Sequence, residues 1–339
     1  MKVFAGHDGG SGCAYYRMQL PLHELMHSAE DIEVTYADAG DTGHPPMVTL
    51  SMLRGHDVIV AQRWNKHDGL EIWRRASLFA RTVYELDDDV FHVTPENWNA
   101  YQLYGRGDIR DAVAHAAETA DLVTVSTEPL AQVMREYSGS VAVLPNAIPG
   151  WACSLPRTPR DRPRVGWMGG ASHGVDIGQV ASPVRRFLKR FPRWDLHLGG
   201  TDYRPTFRVH RDRAFWAPWT QVNVNPEKYF TSVDFDIGLC PLYPTTFSES
   251  KSGLKAIEMG ARGIPVIATD CPAYRSVITH GLDGFLVKQD HEWLKYMSEL
   301  AGDDGLRLKM GEAARDMARR HLIEDRWRDW EAAYRGLFR

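Results

Sequence analysis

Residues 236–270, DIGLCPLYPTTFSESKSGLKAIEMGARGIPVIATD, contain the pattern that decides the fold. Two short apolar runs, 236–242 and 265–268, have the length and composition of buried strands. Between them, residues 253–261 carry apolar side chains at helical spacing, and Gly263 follows where a C-terminal cap belongs. The stretch therefore predicts a strand, a loop, a helix and a second strand, which is the repeating unit of a parallel α/β sheet.

The polar side of this predicted helix carries Lys251, Lys255 and Glu258, at spacings of four and three residues. A serine-rich loop that ends at Ser252 leads into the helix N-terminus, which is a favourable place for an anion. Glu258 can accept hydrogen bonds from sugar hydroxyls one or two turns deeper. The pattern indicates a nucleotide-sugar site, with phosphate at the helix tip and ribose at Glu258. Two plainer interpretations remain open: a solvated Glu258 paired with Lys255, and an ordinary surface lysine at position 251.

The composition is that of a globular protein with room for two domains. The chain has 339 residues, of which 43% are hydrophobic and 25% are charged, and its formal net charge is −4. This balance excludes a general attraction to nucleic acid or to anionic membranes. No apolar run approaches the roughly 20 residues of a membrane span, and the four cysteines are scattered without metal-ligand spacing. We expect a cytoplasmic protein with reduced thiols and no transmembrane segment.

Strand and helix patterns alternate along two halves of the chain. The Pro- and Arg-rich residues 150–163, GWACSLPRTPRDRP, interrupt this alternation, and it restarts at residue 164. The predicted class is therefore α/β, with two Rossmann-like halves in series. The aromatic stretch 215–224 is expected to be a loop, and residues 292–338 are expected to be helical.

Glycine and polar residues follow several predicted strands, at the ends where parallel sheets bind ligands. The glycine loop after the first strand differs from a dinucleotide fingerprint, so a tight turn is an equal alternative. His173 can donate to a diphosphate or to a leaving oxygen, because imidazole titrates near neutral pH. The candidates at these strand ends are Gly10, Ser11, Gly12, Arg17, Arg63, Asp87 and Asp88 in the first half, and Gly169, Gly170, Ser172 and His173 in the second. Gly10, Ser11 and Gly12 are expected to bind the donor.

The second half resembles the GT-B fold glycosyltransferases, in particular the large family 4 group of retaining enzymes. The motif AIEMGARGIPVIATD carries this resemblance, with support from VLPNAIP, VGWMGGASHGVDI, DFDIGLCPL, FSESKSGLK and HGLDGFLV. The first half agrees more loosely, in DGGSGCAYYRMQLPLHEL and VYELDDDVF. The resemblance implies two facing Rossmann-like domains and a last helix that crosses back to the first. The implied divisions are an acceptor domain at 1–149, a linker at 150–163, a donor domain at 164–315 and the crossing helix at 316–339.

The resemblance also implies roles for residues of the second half. Glu258 matches the glutamate that holds the donor ribose, and Trp219 lies in the loop expected to hold the base. The family has an earlier glutamate near the transferred sugar. The position that corresponds to it in this chain is Ser250, and Glu249 lies one position further from Glu258. The arginine and lysine that usually hold the diphosphate are replaced by a glycine loop with His173. The diphosphate would then be held by Gly169, Gly170, Ser172, His173, Lys251 and Ser252.

The function implied is transfer of a hexosyl-type group from a nucleoside diphosphate sugar, of UDP or GDP type, to a hydroxyl acceptor. We expect retention of configuration, no required metal or other cofactor, and a bacterial or phage source. The candidate catalytic residues are His173, Asp87 and Asp88. The candidate acceptor ligands are Arg17, Arg63 and Asp88. Each of these residues has a structural alternative: Arg17 and Arg63 as buried ion pairs, Trp219 as packing, and Asp87–Asp89 as a solvated turn.

Other functions remain open. Residues 87–89 resemble the metal-binding DxD of GT-A glycosyltransferases, but those enzymes have a single nucleotide domain and nothing like residues 236–270. The acceptor is a glycan, a lipid-linked sugar, a protein or a modified DNA base; nucleic acid is expected only in this last case, through Arg-rich residues 157–164 and 204–213. Two rivals from other classes are a sugar-nucleotide epimerase of the same fold and a non-catalytic module that binds nucleotide sugars.

Overall fold

A computed structural model describes residues 1–7, 12–37, 48–64 and 67–339, apart from the side chains of residues 67 and 68. Within these ranges the chain forms two parallel six-stranded sheets in succession along the sequence. The predicted α/β class with two Rossmann-like halves is confirmed.

The first sheet has the strand order β2-β1-β3-β4-β5-β6, and all its pairs are parallel. Its chain order reverses between β1 and β3, which is where doubly wound sheets bind ligands. The strands are buried along nearly their whole length in the centre of the sheet, as a parallel sheet covered on both faces requires. Their bounds are β1 Lys2–His7, β2 Glu33–Ala37, β3 Val58–Gln62, β4 Arg81–Leu86, β5 Leu122–Val125 and β6 Val141–Val143.

The second sheet has the order β12-β11-β10-β7-β8-β9, with its reversal between β7 and β10. Its bounds are β7 Arg164–Gly169, β8 Asp195–Gly200, β9 Ala214–Ala217, β10 Ile237–Cys240, β11 Val266–Thr269 and β12 Gly284–Val287. The prediction that residues 215–224 form a loop is wrong at its start, because Ala214–Ala217 pairs with β8. Phe215 and Trp216 are 40% exposed on this edge strand and are stacked by arginines, so their aromatic character reflects strand rather than loop.

Helices cover the faces of both sheets. In the first half they are α1 Gly12–Ala14, α2 Leu20–Ser28, α3 Leu50–Leu53, α4 His67–Ala76, α5 Trp98–Tyr104, α6 Gly107–Thr119 and α7 Glu128–Met134, with a π-helix at Tyr15–Gln19 between α1 and α2. In the second half they are α8 Gly174–Arg190, α9 Arg204–Phe207, α10 Pro226–Ser232, α11 Thr246–Glu249, α12 Leu254–Ala261, α13 Pro272–Arg275, α14 Asp290–Gly302, α15 Asp304–Arg319 and α16 Ile323–Gly336. Short 3₁₀ turns occupy Gly150–Ser154, Ala171–His173 and Arg211–Arg213.

The stretch 236–270 folds as β10, α11, α12 and β11, so its predicted strand–helix–strand order is confirmed, with one extra helical turn in the loop. Gly263 has φ +65°, and the amide of Ile264 donates to the carbonyl oxygen of Met259. A side chain at position 263 would meet the Arg315 guanidinium as well as the left-handed backbone. Glycine is therefore required where the sequence predicted the cap.

The C-terminal helix crosses back to the first domain, as the fold class predicted. The crossing occurs at the turn after α15: Ile148 and Leu322 form a β-bridge, and the Ile148 amide donates to the carbonyl oxygen of His321 at 2.9 Å. Helix α16 then packs on α2, and Trp327, Trp330 and Tyr334 enter the core that also contains the first-domain strand β1. The last helix thereby ties the two domains together.

Candidate functional site

An interdomain cleft lies where the carboxyl ends of both sheets face each other. Its cavity volume is about 250 Å³, and the cleft is open to solvent. Chain reversals between β1 and β3 and between β7 and β10 place loops from both domains along its walls. The cleft brings together most of the residues predicted from sequence, namely Gly12, Arg17, Asp87, Asp88, Ser172, His173, Trp219, Lys251, Ser252 and Glu258.

Glu258 lies on α12 in the wall of the cleft and is 6% exposed. Its Oε1 accepts hydrogen bonds from the hydroxyl of Tyr229 at 3.0 Å and from the hydroxyl of Tyr16, which comes from the first domain. Burial raises the pKa of the carboxyl group, while the two tyrosines and Lys255 oppose this shift. The carboxylate is thus arranged to accept bonds from hydroxyl groups.

Charged side chains from both domains meet on the opposite wall. The Lys251 ammonium donates to Asp88 Oδ1 at 3.0 Å, and the Arg63 guanidinium contacts both Asp88, at 3.0 Å, and Asp87. Burial of Asp88 opposes ionisation, but Lys251 and Arg63 together lower the pKa of this carboxyl group. Arg63 has φ 54°, uncommon outside glycine, so the backbone at the end of β3 is bent to reach these carboxylates.

Arg17 lies in the cleft, and its guanidinium group already donates hydrogen bonds to other residues of the protein. Its Nε and one terminal nitrogen contact the two oxygens of Glu85, at 2.7 and 3.1 Å. The other terminal nitrogen donates to Asn146 Oδ1, at 3.0 Å, and to the carbonyl oxygen of Leu144. Neither side chain of the Arg17–Glu85 pair is more than 2% exposed. Arg17 thus joins β4 to the segment that follows β6 and has little donor capacity left for an acceptor.

His173 follows β7 and contacts two charged neighbours. Its Nδ1 lies 2.6 Å from Asp176 Oδ2, and its Nε2 lies 3.4 Å from the Lys255 ammonium. Burial, followed by the charge of Lys255, lowers the pKa of His173 to about 4. The neutral ring therefore donates from Nδ1 to Asp176 and presents the Nε2 lone pair to Lys255. In this state Lys255, rather than His173, is the hydrogen-bond donor of the pair.

Acid is expected to destabilise the fold through its buried histidines. The pKa of His197, on β8, is also lowered to about 4, first by burial and then by Arg164. Since these folded-state values lie below the ordinary pKa near 6.5, only the unfolded chain takes up the protons between pH 6.5 and 4. The free energy of unfolding should fall by up to about 1.4 kcal/mol per pH unit for each such histidine. Urea unfolding at pH 7, 6 and 5 measures this slope.

A variant isolates the contribution of one ring. His197→Gln should have a shallower dependence of stability on pH than the wild type, by close to one proton. His210→Gln, which removes an exposed imidazole from a surface turn, serves as the control and should leave the slope unchanged. Equal slopes for wild type and His197→Gln would show that His197 is protonated in the folded protein.

Several predicted donor residues lie elsewhere. Ser250 is buried at the domain interface, where its Oγ contacts Asp89 Oδ2 at 3.5 Å and its carbonyl accepts from Thr127 Oγ1 at 2.7 Å. Glu249 is exposed at the end of α11. Gly169 ends β7 with its Cα packed against Trp167, and the carbonyl of the next residue, Gly170, accepts from the Tyr203 hydroxyl. Gly10 and Ser11 lie outside the described residues.

One group of potential metal ligands occurs among the described residues. Cys13 Sγ and one oxygen each of Asp87 and Asp88 lie within 4.8 Å of one another. The same carboxylates contact Arg63 and Lys251, so two fixed cations already balance their charge. Burial raises the pKa of the Cys13 thiol well above its usual range, which disfavours the thiolate that binds metals. This donor set fits an internal ion-pair network better than a divalent cation.

Sequence reasoning missed three residues of the cleft. Tyr16 lies in the π-helix Tyr15–Gln19, which places its hydroxyl at Glu258. No local sequence pattern predicts a π-helix. Tyr229 lies on α10, its ring 6.1 Å from that of Trp219. Lys255 was noted only as a partner of Glu258, yet it lies, partly buried, beside His173 and the ring of Trp167. Its position one helical turn after Lys251 was the available signal.

Comparisons with known proteins agree with this geometry. Residues 236–317 match the family model of glycosyl transferases group 1. The fold is similar to that of sucrose-phosphate synthase from Thermosynechococcus elongatus, with TM-score 0.70, 17% identity, and coverage of 100% of this chain and 99% of that one. HepE of Anabaena in complex with UDP-glucose gives TM-score 0.68 at 14% identity, covering 98% and 100%.

A third similar structure is that of a candidate UDP-N-acetylglucosamine 2-epimerase of Listeria monocytogenes, with TM-score 0.59, 13% identity, and coverage of 99% and 96%. No curated protein matches the chain in sequence. The predicted GT-B fold is confirmed. Among the described residues, no helix is both long and apolar enough to cross a membrane.

Proposed function

We propose that this chain, a glycosyltransferase of the GT-B fold, transfers a sugar from a UDP- or GDP-linked donor to a hydroxyl acceptor, with retention and without a metal ion. One observation carries the proposal. A buried carboxylate that accepts from hydroxyls, Glu258, lies on the same helix as a partly buried ammonium, Lys255, and both line the cleft between two Rossmann-like domains. Ribose and diphosphate need these two groups side by side.

The side chains that line the cleft define how the donor is oriented, from its base to its diphosphate. The base packs at Trp219, which is 42% exposed and available for stacking. The ribose hydroxyls donate to Glu258. The diphosphate lies over the start of α12, near Ser252 and Lys255, and reaches the glycine loop at Ser172 and His173. HepE, which has a similar fold, binds UDP-glucose, and this favours a UDP sugar as the donor.

Donor binding exchanges contacts that the closed protein makes with itself. Tyr16 donates to Glu258 across the domain interface, and Asp88 holds Lys251 in the same way. Incoming ribose hydroxyls take the place of the Tyr16 hydroxyl, and incoming phosphate oxygens compete with Asp88 for Lys251. Because each lost bond is replaced by one of the same kind, the domains can open and close around the donor at low cost.

The chemistry needs negative charge to be stabilised as the diphosphate leaves. Lys255, Lys251 and the amides at the start of α12 supply this stabilisation. In front-face attack, the acceptor oxygen bonds to the anomeric carbon while the bond from that carbon to the phosphate oxygen breaks. The acceptor proton passes to the departing phosphate. Asp88 is a weak base, since its pKa is lowered by its two cations, so it orients the acceptor hydroxyl rather than deprotonating it.

Nucleic acid is disfavoured as the acceptor by the pairing of the surface arginines. Arg157 and Arg160 contact Asp234 and Asp236. Arg162 and Arg213 both contact Asp195, and Arg204 contacts Asp202. The Arg-rich stretches 157–164 and 204–213 therefore have much of their charge balanced internally, and little of it remains for a phosphate backbone.

The test is turnover with defined donors. The protein is incubated with UDP-, GDP-, ADP- and TDP-glucose and with a mixture of sugar, glycerol and peptide acceptors, with and without EDTA. We expect acceptor-dependent release of one nucleoside diphosphate, a new glycoside as product, and rates in EDTA within twofold of those without it. The twofold limit follows because Arg63 and Lys251 already hold the carboxylates that a metal would need.

Three results would count against the proposal. Loss of turnover in EDTA that Mg²⁺ or Mn²⁺ restores would reject the metal-independent mechanism. An altered sugar without glycoside product would indicate an epimerase. Donor binding without any turnover would indicate a binding module.

A further inference from the structure

A carboxylate on α8 is linked to the Lys255 ammonium through one histidine ring. Asp176, in the first turn of α8, places its Oδ2 2.6 Å from Nδ1 of His173. On the other side of the ring, Nε2 of His173 lies 3.4 Å from the ammonium of Lys255. Asp176 is 9% exposed and lies outside the wall of the donor cleft, so it can affect a bound donor only through its neighbours.

The contacts of Asp176 determine which nitrogen of the His173 ring carries the proton. Its Oδ1 accepts a hydrogen bond from the backbone amide of Tyr243 at 2.7 Å, and its Oδ2 faces Nδ1 of His173. A carboxylate at neutral pH accepts hydrogen bonds and does not donate them, so Nδ1 must be the protonated nitrogen. The lone pair of the ring is then on Nε2, the nitrogen that faces Lys255.

Two contacts restrict the ammonium group of Lys255. The Nε2 lone pair of His173 accepts from it on one side, and the ring of Trp167, with its centroid 5.7 Å from Nζ, lies on another. Trp167 is fully buried, so its ring provides a fixed surface. An ammonium group has three N–H donors, and these contacts leave it a donor for a phosphate oxygen. The group is therefore held in place before the donor substrate binds.

From these contacts we infer that Asp176 is a positioning residue, which fixes the tautomer of His173 so that His173 holds the Lys255 ammonium against the departing diphosphate. The inference rests on the proposed glycosyltransferase function. It assigns His173 the role of a hydrogen-bond acceptor for Lys255, in place of the proton donor expected from the sequence.

The variant Asp176→Asn tests this role with almost no change of shape. If the new amide oxygen keeps the hydrogen bond from the Tyr243 amide, the NH₂ group faces Nδ1 of His173. Because this group donates, Nδ1 becomes an acceptor, and the ring proton moves to Nε2, where it points at the Lys255 ammonium. Displacement of that ammonium should lower kcat about 10- to 100-fold.

The donor KM should change much less than kcat in Asp176→Asn. The bound diphosphate still contacts Lys251 and the start of α12, whereas the charge that develops as the bond breaks depends on an ammonium in the correct place. The matched control is Asp212→Asn, in a surface Asp–His pair whose Oδ2 lies 3.3 Å from Nδ1 of His210. This control should leave both kcat and KM unchanged.

Two further measurements distinguish positioning from a purely structural role. Nitrogen-15 NMR of the histidine rings, without any substrate, should show Nδ1–H for His173 in the wild type and Nε2–H in Asp176→Asn. The signal is assigned by its absence in His173→Gln. The amide oxygen of that glutamine can accept from Lys255 without any choice of tautomer, so adding Asp176→Asn to His173→Gln should lower kcat little further.

The outcomes separate the positioning role from the function. A changed tautomer, with kcat lowered by Asp176→Asn in the wild-type background but not in His173→Gln, supports the inference. An Nδ1–H ring in both proteins, or equal losses of kcat in both backgrounds, overturns it and leaves the glycosyltransferase function intact. If UDP-, GDP-, ADP- and TDP-glucose all fail to raise the melting temperature and no transfer occurs, the proposed function itself fails, and the inference fails with it.

Discussion

Replacing Arg17 by methionine is expected to lower the free energy of unfolding by about 3–5 kcal/mol, the range for breaking a buried ion pair on one side. The Glu85 carboxylate would then lie in the core of the first sheet with the Thr124 hydroxyl, at 2.5 Å, as its remaining described side-chain donor. Arg17 also donates to Leu144 and Asn146, in the segment that follows β6, so the change removes these hydrogen bonds as well. Urea unfolding at pH 7 measures the loss.

Two further variants identify the cause of that loss. Adding Glu85→Leu to Arg17→Met removes the stranded charge, so the double variant should recover much of the lost stability. Arg335→Met breaks a comparable pair, with Asp31, on an exposed surface, and its unfolding curve should overlay that of the wild type. A double variant as unstable as Arg17→Met alone would show that packing, rather than the isolated charge, explains the effect.

Replacing Lys255 by methionine is expected to lower kcat/KM by about 100- to 1,000-fold, the range for removing one preorganised group that stabilises transition-state charge. Lys255 lies beside His173, Trp167 and the Glu258 carboxylate, and desolvation lowers the pKa of its ammonium group. A lowered pKa means that the folded protein disfavours the charge, so Lys255→Met should unfold at the same temperature as the wild type or higher.

Loss of activity with gain of stability is the signature of a functional charge. Lys295→Met removes an exposed lysine from α14 of the same domain and should leave both quantities unchanged. Unchanged turnover in Lys255→Met would mean that Lys251 and the backbone amides alone stabilise the leaving group. A large drop in melting temperature would instead assign Lys255 to the structure of the second domain.

The sequence predicted the architecture well because its signals are local. The strand, helix and cap of residues 236–270 follow from periodicity and one glycine, and the structure has them within one or two residues, with Gly263 at positive φ. The edge strand Ala214–Ala217 was missed because tryptophan and phenylalanine there resembled a binding loop. The consecutive residues Phe215 and Trp216 are both exposed on this edge strand, so it lacks the alternating burial pattern that would have indicated a strand.

The site was predicted less completely, since it depends on contacts between distant residues. Glu258 and Lys251 were found from helical spacing, but one of the two tyrosines that donate to Glu258 is Tyr16, 242 positions away. Arg17 was expected at an acceptor, and its pairing with Glu85 joins residues 68 positions apart. The spacing of residues along the sequence does not predict contacts between residues so far apart.

Ser250 shows how a family register can mislead about a role. The position where the family has a glutamate here holds a buried serine that joins the two domains through Asp89 and Thr127. A glutamate at position 250 would place a second carboxylate against that of Asp89. A serine at this position avoids that repulsion. Recognition of the transferred sugar then depends on residues other than Ser250.

The most direct test of the account is the thermal stability of wild type and Glu258→Gln with UDP-, GDP-, ADP- and TDP-glucose. Because a ligand that binds only the folded state raises its melting temperature, saturating donor at 100 times Kd should add about 2.7 kcal/mol to the stability of the wild type. The account predicts a shift with one nucleotide family and its near-complete loss in Glu258→Gln, whose own melting temperature stays close to that of the wild type. No shift with any donor, or an equal shift in the variant, would contradict the assignment of this cleft to a nucleotide sugar.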